Sequence, residues 1–342
     1  MKAVIFRQHG GPEALEYAEV PVPPVPAGHV LVRVKACSVN HVDCWIRQGI
    51  PAYRIRLPHI SGCDVSGVIE RLGSEVRGVR VGNRVMLSPG LRCGRCASCQ
   101  AGKDTFCEAA GIRGVATDGG YAEFTLAREE DVLPLPAGMS FEDAAAFPLV
   151  FLTAWHMLVG RAKLQAGETV LIHAAGSGIG HAAIQIAKHL QAIVYTTVGS
   201  DAKIPNATAL GAEAVISSQR EDVLERVRQL TDGRGVNVVF EHIGPQTWEG
   251  SLKALANGGR LVTCGATSGP TVSLDLRYVF SRQLSILGSM MGTRAELLTV
   301  TQLLGERKLR PVIDTVFPLQ EARLAQERML QRRLFGKLVL VP

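Results

Sequence analysis

The stretch VLIHAAGSGIG, residues 170–180, constrains this chain more than any other. A β-branched apolar run enters a turn with glycine at 176, 178 and 180, and AAIQIAKHL follows with helical spacing. Strand, glycine turn and helix in that order make a phosphate cradle. The glycines let the backbone approach a pyrophosphate, and the helix start adds free N–H groups and the positive end of its dipole. The period then repeats. Short apolar strands are expected at 169–173, 193–197, 214–216, 236–241, 260–264 and 284–288, with helical patterns between them. Strands alternating with helices predict an α/β fold with a parallel, doubly wound sheet.

The first third reads differently. HVLVRVKACSV and DVSGVIERLG are alternating or β-branched runs broken by Gly and Pro, and NRVMLSPG and GGYAEFTLA add short strands. This predicts a compact all-β barrel. Near residue 140 the chain becomes helix-rich, and Ser140 with Asp143 forms a capping-box pattern with Asp in place of Glu. The tail, 295–342, holds one amphipathic helix, loop, and a last strand GKLVLV. A chain of 342 residues is long for one core, which favours two domains.

Between the barrel strands lies CGRCASCQAGKDTFC, with cysteines spaced C-x2-C-x2-C-x7-C. One loop with these gaps can fold four thiolates around a tetrahedral ion, and four thiolates leave no open position, so the site is structural. Gly94 and Gly102 relax the backbone at the tight approaches. An iron–sulfur loop of the bacterial type has Pro after its fourth Cys, where Glu108 stands here. A redox CxxC wants a βαβ setting, which this segment lacks. One structural Zn2+ on Cys93, Cys96, Cys99 and Cys107 is the expectation, and the chemistry must then lie elsewhere.

Charge and compartment narrow the function classes. The start, MKAVIFRQHGG, has no signal-peptide pattern, and the longest apolar run, 144–152, is too short to span a bilayer. A cytoplasmic protein without membrane association is expected, and there structural disulfides are disfavoured. The balance of 37 Lys and Arg against 31 Asp and Glu gives +6, but the basic residues are scattered, so no nucleic-acid partner is expected. Arginines are dense between positions 54 and 95, which suits an anionic substrate; a solvated basic face is the plainer reading.

The end of the second nucleotide-domain strand selects the cofactor. An NAD site usually places Asp or Glu there for the ribose 2′-OH. Here IVYTTVGSDAK ends in Thr197, Val198 and Gly199, and Ser200 and Lys203 follow, both suited to a 2′-phosphate. Asp201 is the complication, since it could turn inward and serve as the acid. NADP(H) is favoured over NAD(H).

In this order of parts, with GGRLVTCGATSG and RQLSILGS, the chain resembles the medium-chain dehydrogenase/reductase superfamily over essentially its whole length. The likeness is to the zinc-lobe alcohol dehydrogenase-like and quinone or enoyl reductase-like branches. It implies a GroES-like catalytic domain over 1–145 with the zinc lobe at about 92–108, a Rossmann domain over 146–292, and a return of 293–342 to the catalytic domain. It also implies an active site in the cleft between domains and a homodimer or homotetramer. Carried over by position, Thr153 lies beneath the nicotinamide and Ser177, Gly178, Ile179 and Gly180 at the pyrophosphate, after Gly176. Gly199, Ser200 and Lys203 lie near the adenosine ribose, and Ile243 and Gly244 border the cofactor. Gly265, Ala266 and Thr267, with the backbone of Ser289 and Met291, face the nicotinamide, and Lys337 reaches the pyrophosphate.

The resemblance breaks at the catalytic zinc. Where the alcohol dehydrogenases have a Cys ligand this chain has Asn40, for the His–Glu pair it has Cys63 and Asp64, and at the last ligand position Leu149. Val42 stands where a proton-relaying hydroxyl is usual, while Asp43 is retained. A rearranged site would use Cys63 and Asp64 with His41, His59 or Cys37. Otherwise these histidines, with His156, are satisfied polar or core residues, and Cys37, Cys44 and Cys264 are small apolar fillers. The leading expectation is an NADPH-dependent reductase of activated C=C bonds or quinones acting on a small molecule. Asn40 would donate to the substrate carbonyl, Asp64 would orient donors or water, and Trp45 with segment 49–58 would shape the pocket. The alternatives are a zinc alcohol dehydrogenase with atypical ligands and a non-catalytic nucleotide-binding protein.

Overall fold

Apolar alternation makes His29–Ser38 the central strand of the first unit, with Val30, Val32, Val34 and Cys37 in one cluster with Val65, Ile69, Val85, Leu338 and Leu340. The computed structural model describes residues 1–51 and 53–342; Ala52, within the expected pocket segment, lies outside them. The sheet runs in the order Val132–Pro134, Arg84–Leu87, Asp64–Leu72, His29–Ser38, Lys337–Val341, Ile313–Pro318, with Phe124–Arg128 also paired to the central strand. Two register shifts, at Leu31/Val32 and Val34/Ala36, interrupt the pairing with Asp64–Leu72. Bulges of this kind bend a strand and raise its twist, as a barrel needs. A smaller sheet joins Glu16–Glu19, Lys2–Phe6 and His59–Ile60. The cysteine loop leaves and rejoins through a two-stranded ladder, Gly90–Leu91 with Gly111–Ile112, which clamps both its ends.

The second unit holds six parallel strands in the order Ala214–Ser217, Ile193–Val198, Thr169–Ile172, Val236–Glu241, Leu255–Thr263, Ser285–Gly288. This is the doubly wound order, with the reversal at the first strand. All the expected strands are present, and the fifth begins earlier, at Leu255, because a register shift beside Val236 admits extra residues. Leu171, Ile216, Val239, Leu252 and Leu261 form part of its core.

The units comprise Met1–Leu149 with Leu304–Pro342, and Val150–Leu303. The expected boundaries, 145/146 and 292/293, fall short at both ends for packing reasons. Ala145 and Ala146 pack on Ala36 and Val339 of the first unit. The helix Arg294–Gly305 buries Leu297 and Val300, and its Glu296 carboxylate meets His156 Nδ1 at 2.9 Å, which ties it to the second unit. Among the described residues no helix is long and apolar enough to cross a membrane.

Candidate functional site

The strand Lys337–Val341 pairs antiparallel with the end of His29–Ser38, Val339 opposite Ser38. That pairing sets Lys337 beside Asn40, the residue that precedes the helix His41–Gln48. The Lys337 ammonium donates to Asn40 Oδ1 at 2.5 Å and to Val39 O at 3.0 Å, and stands 3.5 Å from Asp64 Oδ2. With its oxygen so held, Asn40 presents Nδ2 to Asp64 Oδ2 at 2.9 Å and to Cys63 Sγ at 3.3 Å. Asp64 also accepts from Ser38 Oγ at 3.2 Å and from the Leu149 N–H at 2.9 Å. Lys337 and Asp64 are 2% and 0% exposed, so the pair is an internal one.

Asp43 supports this arrangement from behind. Its carboxylate accepts the Asn40 N–H at 2.8 Å, the Tyr121 hydroxyl at 3.0 Å and the Gly62 N–H at 3.1 Å. It thereby joins the helix start to the segment carrying Cys63. Burial pushes its carboxyl up to about 6 against these donors and the Lys337 charge. Burial likewise holds the Cys63 thiol well above its ordinary value, so it stands here as a neutral SH.

Lys337, expected at the pyrophosphate, has its ammonium buried and bonded to Val39 and Asn40. Asn40, Asp64 and Cys63 come together, whereas Trp45 is half-buried with its ring 6.1 Å from that of His41. His59 is committed elsewhere, Nε2 to Gly114 O at 2.8 Å, and Cys37 and Cys44 lie in the apolar core. Among the described residues, the one group of three or more His, Cys, Asp or Glu ligand atoms within 4.8 Å of each other is Cys93, Cys96, Cys99 and Cys107.

That cluster has the shape of an ion cage. Cys93 Sγ and Cys107 Sγ are 3.6 Å apart, close to the edge of about 3.8 Å that a tetrahedron with metal–sulfur bonds of about 2.3 Å requires. The Cys96 N–H points at Cys93 Sγ and the Cys93 N–H at Cys107 Sγ, each at 3.3 Å. Backbone N–H groups of Arg95 and Cys96 bring the Cys93 thiol down to about 6.

Apart from Thr153, the predicted cofactor residues of the second unit follow carboxyl ends of its parallel strands, where doubly wound sheets bind ligands. After the first strand, Ser177 caps the helix Gly178–His189 by accepting from the Gly180 N–H at 2.9 Å. A Cβ on Gly180 would meet Ala174 O at 2.2 Å, so the tight turn requires glycine there. After the second come Gly199, where a Cβ would meet nothing within 4 Å, then Ser200 and Lys203. Thr267 Oγ1 donates to His242 O and the Ser268 N–H to Ile243 O, which draws together the loops holding Ile243–Gly244 and Gly265–Thr267. Met291 has φ +51°, and the Ser289 N–H is bonded to Thr263 O. Thr153 lies in the helix Pro148–Trp155. Sequence reasoning missed the buried trio behind this edge: His173 Nε2 lies 2.8 Å from Ser251 Oγ, which donates to Glu241 at 2.8 Å. Burial, partly offset by Glu241, pushes His173 down to about 4, so the imidazole is neutral.

Known proteins resemble this chain along its whole length. Residues 26–137 match the alcohol dehydrogenase GroES-like domain and residues 178–306 the zinc-binding dehydrogenase family. The chain is 35% identical to a quinone oxidoreductase of Pseudomonas aeruginosa, over 100% of this chain and 99% of the relative. It is 33% identical to an alcohol dehydrogenase of Geobacillus stearothermophilus, over 99% of each. A crystal structure of an NAD-dependent alcohol dehydrogenase superposes with a TM-score of 0.95 at 43% identity, over the full length of both chains. The chain belongs to the medium-chain dehydrogenase/reductase superfamily, a family of oxidoreductases.

Proposed function

We propose that this chain is an NADPH-dependent reductase of activated alkenes, such as enones and enoyl thioesters, or of quinones, and that it works without a catalytic metal. The observation that carries the reading is the buried ammonium of Lys337 among Asn40 and Asp64. A zinc ion does not fit this donor set. Asn40 turns N–H donors, not a lone pair, toward Cys63 and Asp64, and Leu149 contributes only a backbone N–H. A dication on Cys63 and Asp64 would have to expel the ammonium and reverse the amide. The four-cysteine cage does fit a closed, structural zinc site.

The chemistry follows from what remains. A bound reduced nicotinamide supplies the hydride. Reducing a simple ketone creates a localised alkoxide, for which a strong Lewis acid is the usual remedy. A conjugated alkene or quinone delocalises the developing charge onto an oxygen that preorganised hydrogen-bond donors can hold. Asn40 supplies such a donor. Its bond to the neutral Cys63 thiol is the weaker of its two, and the substrate oxygen takes that place while Asp64 keeps the other. Lys337 bonded to Asn40 Oδ1 draws electron density from the amide and strengthens its N–H groups as donors. Trp45 and the described residues of 49–58 border the substrate, and the assembly is a homodimer or homotetramer. The lack of an acid at the end of the second strand, before Gly199, supports NADPH.

The test pairs elemental analysis with stopped-flow mixing of NADPH and enones, quinones or crotonyl-CoA. One zinc per chain and oxidation of NADPH by at least one of these classes is the expected outcome. Two zincs per chain with chelator-sensitive alcohol oxidation would establish the second reading, an alcohol dehydrogenase with atypical ligands, which the 43% identity to an NAD-dependent alcohol dehydrogenase favours. Tight NADPH binding with no turnover on any substrate would leave a non-catalytic nucleotide-binding protein.

A further inference from the structure

We infer that Arg220 binds the 2′-phosphate of NADP(H) and is a determinant of cofactor preference; this rests on the NADPH reading above. The second and third strands of the nucleotide unit are parallel neighbours, with Val198 opposite Ser217. The turns that follow them are therefore side by side, and Ser218 fastens them, its N–H and its hydroxyl both donating to Val198 O at 3.0 and 3.1 Å. One turn carries Gly199, Ser200, Asp201 and Lys203, and the other Arg220.

Asp201 is the acid that would otherwise defeat a phosphate here. Both its oxygens are taken by the other turn: Oδ1 accepts from Ser217 Oγ at 2.7 Å, and Oδ2 is in contact with the Arg220 guanidinium. A carboxylate held and neutralised this way neither reaches freely for a ribose 2′-OH nor presents a net negative charge. The Arg220 side chain is 73% exposed. A guanidinium has five N–H donors in a rigid fork, so one edge can stay on Asp201 while another takes phosphate oxygens. An ion pair this exposed is also cheap to rearrange. Gly199, with open space where a Cβ would stand, leaves the approach clear.

The experiment is calorimetric titration of the intact protein with adenosine 2′,5′-bisphosphate and with 5′-AMP, which isolates the phosphate from hydride transfer. Wild type should bind the bisphosphate more tightly than AMP. Arg220→Ala should weaken the bisphosphate by about tenfold and leave AMP within about twofold, as expected for loss of one charge-assisted contact. Arg220→Ala should also move the NADPH/NADH affinity ratio toward NADH, since Asp201 is released. Asp201→Asn in the Arg220→Ala background separates contact from neutralisation. If it restores bisphosphate affinity fully, Arg220 only masks Asp201 and the proposed contact is wrong. If wild type prefers the bisphosphate and Arg220→Ala weakens both ligands equally or neither, the proposal fails while the NADPH reading stands. If wild type does not distinguish the two ligands, both fall.

Discussion

Replacing Lys337 by Met removes the ammonium from a buried site. Asp64, 0% exposed, keeps the Asn40 amide, the Ser38 hydroxyl and the Leu149 N–H, but loses the cation that pairs with it among the described residues. Breaking a buried pair by removing one partner costs about 3–5 kcal/mol. The three surviving donors, and a Lys–Asp separation of 3.5 Å, put this case near about 3 kcal/mol. Asp64→Asn should cost a similar amount, because it strands the ammonium instead. The double variant, Lys337→Met with Asp64→Asn, carries no buried charge, and should be about 2 kcal/mol more stable than the two single costs added together would predict. Urea unfolding followed by circular dichroism measures each value from its midpoint and slope. Additivity within about 0.5 kcal/mol would mean that the two charges do not sense each other. A single-variant cost under about 1 kcal/mol would place the ammonium in solvent rather than in the network. Either result would remove the basis for the donor argument at Asn40.

Two further outcomes follow from the same geometry. The Asp43 carboxyl, raised to about 6 from 3.8 by burial, binds a proton more tightly folded than unfolded. Stability assigned to Asp43 therefore increases as pH falls through about 6 and levels off below 3.8, and the charged form costs about 3 kcal/mol at neutral pH, from roughly 2.2 units at 1.36 kcal/mol each; the difference in unfolding free energy between wild type and Asp43→Asn, measured from pH 7.5 to 4.5, checks the sign. Gly180→Ala drives a methyl to 2.2 Å from Ala174 O, so it should deform the glycine turn and weaken NADPH and NADH binding together by at least about tenfold in a fluorescence titration.

The nucleotide unit was legible because its signals are local. Period, β-branching and the glycine turn lie within short windows, and every strand predicted from them is present. The cysteine cage was legible for the same reason, its ligands falling within one loop. Lys337 shows where local reading ends. GKLVLV announces a strand but not its register, and the contact with Asn40 joins residues 297 positions apart. Asn40 was identified as important by its position, yet nothing in SVNHVD says that both faces of its amide are engaged. Asp201 is a similar case: its orientation is decided by Ser217 and Arg220, which reach it from the next strand. The two unit boundaries moved because helix Arg294–Gly305 follows its own buried Leu297 and Val300, not the end of the last parallel strand.

The pairing of Lys337–Val341 with His29–Ser38 also governs the order in which this protein can be made. Translation delivers the whole of Val150–Leu303 before the ribosome reaches the segment that completes the N-terminal sheet. The inserted nucleotide unit, with its sequence contiguous, can fold on the ribosome while the surrounding unit waits with an unsealed edge. A chain lacking residues 337–342 would have a finished nucleotide fold and an open N-terminal sheet, and edge-to-edge association of nascent chains is the hazard that creates.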